Sequence, residues 1–132
     1  MEGAVEAVWK QSAQEVVNEM QKPVAAGGRM RVDTGFLRAS LMASTASMPP
    51  INPQAVPAEG AGYSFADTDI IATIAGAELG QTLHFGYTAS YAAFREYGAM
   101  GQPPDAFVRT AAQKWPFIVK EVEARLASRL GR

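Results

Sequence analysis

Apolar positions recur at helical spacing near both ends of this chain and alternate with polar ones between. Over residues 2–22, Val5, Val8, Trp9, Val16, Val17 and Met20 follow a helical stripe, with Gln11, Gln14 and Asn18 between them. A helix of that length is a rod of roughly 31 Å. Pro23 ends it, and Gly27-Gly28 supplies a loop. A turn over 31–35 then leads into one or two helical turns over 36–41, with Thr34 as their cap. Residues 41–47 predict the start of a strand built largely from small side chains.

Residues 48–63 differ in kind. Pro49, Pro50, Pro53 and Pro57 fall close together, followed by Gly60 and Gly62. No helix or central strand tolerates that density, so a long exposed loop is expected. Met48, Ile51 and Val56 give it apolar anchors. Proline-rich chain has little freedom to lose on ordering, which suits an interface arm settling on a neighbouring subunit.

Beyond the loop, 70–75 is rich in β-branched residues, and Leu83, Phe85 and Tyr87 alternate with His84, Gly86 and Thr88. Together they predict an antiparallel hairpin turning at 76–80. A short helix over 90–97 is capped by Ser90 and stopped by Gly98 in a left-handed conformation. Asp105 opens a long C-terminal helix to about residue 130, with Val108, Ala111, Trp115, Ile118, Val119, Val122 and Leu126 along one stripe and a kink at Pro116. Trp9, Phe94, Phe107, Trp115 and Phe117 all fall on helical stripes, which predicts core positions for them. The fold expected is α+β: long N-terminal and C-terminal helices packed on a small, mainly antiparallel sheet, in one domain spanning 1–132.

Composition narrows the chemistry. A hydrophobic fraction of 48% and a charged fraction of 19% fit a globular class. There is no cysteine, which excludes disulfides, thiolate catalysis and cysteine-based zinc sites. No apolar run approaches the ~20 residues of a membrane span. The start, Met1-Glu2-Gly3, lacks signal-peptide character, so synthesis in a cytoplasm is expected. A net charge of −1 gives no global attraction to nucleic acid. The signs are segregated, however: Arg29, Arg31 and Arg38 precede an acidic stretch holding Glu59, Asp67, Asp69 and Glu78, and a more basic C-terminal segment follows. Such alternation can steer neighbouring subunits into register.

Candidate chemistry is sparse. The one histidine, His84, lies mid-strand, where an imidazole is usually packed or solvated. Asp67 and Asp69 resemble a fragment of an oxygen-ligand loop but lack its glycine and distal glutamate. Neither a phosphate-cradling glycine loop with its lysine nor a glycine-flanked serine occurs. No catalytic, metal or cofactor site is therefore expected, and the chain is read as a non-enzyme. Arg29, Arg31 and Arg38 form a small basic cluster without a recognition-helix motif, which leaves a nucleic-acid-binding regulator as a lesser alternative.

Three segments carry a family likeness in order. They are Asp33-Thr34-Gly35-Phe36-Leu37-Arg38-Ala39-Ser40-Leu41, then Tyr91-Ala92-Ala93-Phe94-Arg95-Glu96-Tyr97-Gly98, then Pro103-Pro104 followed by Phe107-Val108-Arg109-Thr110-Ala111. With the leading helix, this order resembles the tail-completion (head–tail joining, or neck) proteins of tailed bacteriophages over roughly residues 30–125. Asp33, Thr34, Gly35, Leu37, Arg38, Ser40, Tyr91, Ala92, Glu96, Gly98, Phe107 and Ala111 are the motif positions that the likeness singles out. Thr110 stands where the pattern has proline, and the 48–63 loop is longer than usual.

The resemblance implies a virion structural protein at the neck. Its subunits would form a ring, hexameric in form, joining the tail to the head-closure complex. Its partners would be further copies of itself, the head-closure or stopper ring, and tail-terminator or tail-tube proteins. DNA would pass through the lumen without sequence-specific contact, and neither membrane nor cofactor is implied. Tail terminator and head-closure stopper are the neighbouring alternatives, differing in partner and not in chemistry.

Overall fold

Glutamate, glutamine, alanine and lysine favour the first helix, α1 (Glu2–Gln21), and pairs four residues apart brace it. Glu6 holds Lys10 at 2.8 Å, Gln11 donates to Glu15 at 3.1 Å, and Gln14 donates to Asn18 at 3.0 Å. The computed structural model describes residues 2–32, 35–98, 101 and 103–129. Past Pro23 a short 3-10 turn (Val24–Ala26) ends at Gly27, whose φ is 92°. The chain then returns beside itself, with Val24 donating to the Met30 carbonyl at 2.9 Å. Gly28 is needed there, because a Cβ on it would lie 2.0 Å from the Lys22 carbonyl oxygen.

The order continues as α2 (Phe36–Ala39), β1 (Leu41–Ser44), α3 (Thr68–Gly76), β2 (His84–Tyr87), α4 (Ala92–Tyr97), α5 (Phe107–Gln113) and α6 (Trp115–Arg129). The two strands pair antiparallel, with Leu41 opposite Tyr87 and Ser44 opposite His84. Terminal helices α1 and α6 pack on each other, and α1 also packs on α5 and α3. The architecture is α+β, helices on a small antiparallel sheet, as the hydrophobic pattern predicts. Val17, Met30, Ile70, Phe107 and Val122 are almost fully enclosed. The Tyr87 and Phe107 rings meet edge to face at 5.0 Å, joining the sheet to α5. None of the helices among the described residues is long and apolar enough to cross a membrane.

Four local expectations need correction. Residues 70–75 are helical, so there is no hairpin turning at 76–80, and β2 pairs with β1 instead. Ile70, Ile74 and Ala77 are buried at intervals of four and three, and that helical face wins over the β-preference of isoleucine and threonine. Thr73 also turns its hydroxyl back onto the Asp69 carbonyl at 2.8 Å, which a helix allows. Next, the C-terminal helix is two helices that break at Lys114, and Pro116 sits in the first turn of α6. Proline is tolerated there because the amide it lacks would have no helical partner.

Asp105, thirdly, does not open a helix. Ala106, at φ 52°, precedes α5, and the Asp105 side chain is buried elsewhere. Lastly, neither α2 nor α4 has a side-chain cap: Gly35 stands at the first and Tyr91, not Ser90, at the second. Thr34, the expected cap, lies outside the described residues, as does Asp33.

Candidate functional site

Two buried carboxylates join the second and third likeness-bearing segments to each other and to Arg31, just ahead of the first. Glu96, on α4, is 6% exposed. It accepts the backbone amides of Val108 and Arg109, both at 2.9 Å, and the Arg109 guanidinium at 3.1 Å. These amides belong to the unpaired first turn of α5, so Glu96 caps that helix from another element. Arg109 closes the pair by donating to the Glu96 carbonyl at 3.0 Å and lying over the Tyr97 ring.

Asp105 is the second centre, with its side chain 4% exposed. Its carboxylate accepts the Arg31 backbone amide at 3.4 Å and the Arg31 guanidinium, with Arg95 at 3.6 Å. Its own amide donates to the Arg95 carbonyl at 2.7 Å, and its carbonyl accepts from Arg29 at 3.0 Å. Segments near residues 30, 95 and 105 are thus fixed to one another by charge and hydrogen bonds in a shielded setting, where such bonds are strong.

A third junction ties α2 to the end of α1. Arg38 donates to the Gln21 carbonyl and Gln21 donates to the Arg38 carbonyl, both at 2.8 Å. The Tyr87 hydroxyl donates to the Gln21 side-chain oxygen at 2.5 Å. Burial pushes the Tyr87 phenol well above its ordinary range, against a smaller downward pull from Arg38, so it stays a neutral donor. Ser40 bonds the Leu37 carbonyl through its hydroxyl, and its own carbonyl accepts both the amide and the hydroxyl of Thr88.

The remaining motif positions are structural as well. Leu37, Ala92, Phe107 and Ala111 are core residues. Tyr91 stacks obliquely on Phe36 at 6.3 Å and carries Arg95 over its ring. Gly35, at φ 85°, is crossed by the Tyr63 carbonyl, 2.2 Å from where a Cβ would stand. Gly98 has the positive φ expected, 84°, but its ψ of 152° lies in a region essentially reserved for glycine, not in the left-handed helical well. Between these parts lies a cavity of about 350 Å³ lined by Phe36, Arg38, Tyr91 and Arg95 among others. Asp105 and Gln21 carry much of this bonding; the sequence offers Asp105 only as a helix opener and does not single out Gln21, since nothing in it separates a buried aspartate or glutamine from a solvated one.

Residues 48–63 do not stand off as a free arm. The Asn52 amide donates to the Thr88 carbonyl and the Ser90 amide to the Ala55 carbonyl, both at 2.9 Å. The loop is thus tied to the chain just past β2, with Pro49 lying close over Gly86. Gly86 permits the approach, since a Cβ there would come within 2.6 Å of the Pro49 carbonyl oxygen. Met48, Ile51 and Val56 still face solvent, at 58%, 43% and 60% exposure.

Several aromatics depart from the core positions expected of them. Phe94 and Phe117 are each 62% exposed and Trp115 is 37% exposed. Trp9, Val16, Leu83, Phe85, Val108 and Trp115 line an open apolar groove between α1, β2 and α5. His84 is half-buried in β2, and Asp67 and Asp69 are exposed at the start of α3. Among the described residues no three histidine, aspartate or glutamate side chains cluster closely enough to hold a metal ion. No family model, curated protein or solved structure matches the chain.

Proposed function

We propose that this chain is a virion structural protein of a tailed bacteriophage, a tail-completion subunit that forms a ring joining the tail to the head-closure complex around the DNA channel. One observation carries the reading. The second and third segments resembling that family bond to each other around Glu96 and Asp105, Arg31 just ahead of the first segment joins them at Asp105, and Phe36 of the first meets Tyr91 of the second, as parts of a single scaffold would. Exposed Phe94, Tyr97, Phe117 and Trp115 then supply the kind of anchors that protein interfaces favour.

The alternative of a nucleic-acid-binding regulator loses support, because Arg29, Arg31 and Arg38 all bond within the chain. Labelling tailed particles with an antibody against the chain tests the proposal. Signal at the head–tail junction in several copies is expected, together with separate heads and tails when the gene is deleted. Label on the capsid or tail tip, a single copy at the neck, or intact particles from the deletion would each refute it.

A further inference from the structure

The 56 residues from 39 to 94 contain Glu59, Asp67, Asp69 and Glu78 but no lysine or arginine. The acidic residues of α3 and its C-terminal flank accompany exposed apolar ones: Ile71 is 48% exposed and Leu79 44%, with Ala72 and Ala75 also exposed. Among the described residues, Asp67, Asp69 and Glu78 form no ion pair. The opposite composition occurs just past α1. Residues 22–32 hold Lys22, Arg29 and Arg31 around Val24 at 55% and Val32 at 48% exposure; Asp105 takes up one of these charges through Arg31, and Glu19 is shared between Lys22 and Lys114, which leaves the turn net basic. One face is apolar with an acidic surround, and the other apolar with a basic surround.

These two faces cannot meet within one chain. Lys10 donates to the Ala75 carbonyl at 2.8 Å, which fixes the end of α3 beside the middle of α1. Lys22 comes 12 residues after Lys10, about 18 Å further along the helix direction. Complementary patches held apart on one molecule make a head-to-tail contact, which repeats because every copy keeps a free face of each kind. Opposite charge favours this pairing and disfavours like-to-like docking.

We propose that the acidic outer face of α3 in one copy docks on the basic turn after α1 in the next. The inference rests on the neck reading in expecting a repeated copy-to-copy contact. Its test uses purified chain, so its outcome is separate from whether virions carry the chain at their neck. Sedimentation velocity should show concentration-dependent association in low salt, weakened at least tenfold at 0.5 M salt, where the screening length falls to roughly 4 Å.

Two charge variants make the test specific. Asp69→Lys with Glu78→Lys turns the acidic face basic, and Lys22→Glu with Ala26→Glu removes the basic excess of the turn beside an unchanged acidic face. All four positions but Lys22 lack a side-chain bond to the rest of the chain, and Lys22 gives up only an exposed 3.7 Å pairing with Glu19. Each variant alone should be monomeric, and an equimolar mixture should associate again. A monomeric wild type, variants that associate as wild type does, or a mixture that stays monomeric would overturn the proposal. Should either variant melt early, the native absence of cysteine offers a second route. Glu78→Cys with Ala26→Cys in one chain should give a ladder of disulfide-linked oligomers on oxidation, and failure to form one would equally overturn it.

Discussion

Replacing Glu96 by alanine removes the acceptor for the Val108 and Arg109 amides and leaves the first turn of α5 without its cap. Both amides are partly shielded, so each loss costs about 1–2 kcal/mol, with a further contribution from the vacated side-chain volume. A total of about 3 kcal/mol is a large share of the 5–15 kcal/mol that holds a typical domain together. At this chain length it corresponds to a fall in melting temperature of roughly 12 °C. Arg109→Ala removes the ionic partner but leaves both amide bonds. Its side chain is 47% exposed but that of Glu96 only 8%, so that change should cost about 1–2 kcal/mol, still less than losing both amide bonds and the carboxylate. Glu96→Gln should fall between them, because its amide nitrogen cannot accept from a backbone N–H. Urea unfolding of the three variants with unchanged m-values reads the differences directly. Equal losses for Glu96→Ala and Arg109→Ala would show that the ion pair, not the cap, carries the stability, and would refute the reasoning.

Gly98→Val should cost on the order of 1–3 kcal/mol, since a β-branched residue is strained at φ 84° and ψ 152°, and a melting temperature equal to wild type would contradict that. A hydrogen bond from Lys114 holds the Glu19 carboxyl below its ordinary value of 4.5, against the opposing effect of burial. Its contribution is present above that value and lost as pH falls through the folded-state value. Glu19→Gln should therefore lose less than about 1 kcal/mol at pH 7 and match wild type near pH 2, as thermal melts across that range would reveal. Exchanging residues 49–57 for a short glycine–serine link removes the two backbone bonds that tie the loop to Thr88 and Ser90, so the melting temperature should fall, and one equal to wild type would show that those bonds add no stability.

The terminal helices, both strands and the α4 segment were legible because each rests on a local signal: helical spacing, alternation, or a stop such as Pro23 or Gly98. The misreading of α3 arose where local preference and tertiary packing disagree. Ile70, Ile71, Thr73 and Ile74 favour a strand by type, and only packing of Ile70 and Ile74 among residues of α1 and β1 makes the helix the better solution. Proline signalled a disturbance near 116, but a kink within one helix and the start of a new one share that signal. Motif residues were legible as a set, yet their roles were not. That Glu96 caps α5 and Asp105 holds Arg31 depends on contacts 12 to 74 residues apart.

The pairing of α1 with α6 also sets a timetable. Glu15 meets Arg125 across 110 residues of chain, and Glu19 meets Lys114 across 95. At a synthesis rate of about 5–20 residues per second, the first helix waits roughly 5–20 s for its partner to be made. During that interval Val17 and Met20 have no finished core to enter. Newly made chains crowded on one message would hold such unfinished helices side by side, so productive yield should depend on how fast the last third of the chain is translated and on chaperones present meanwhile.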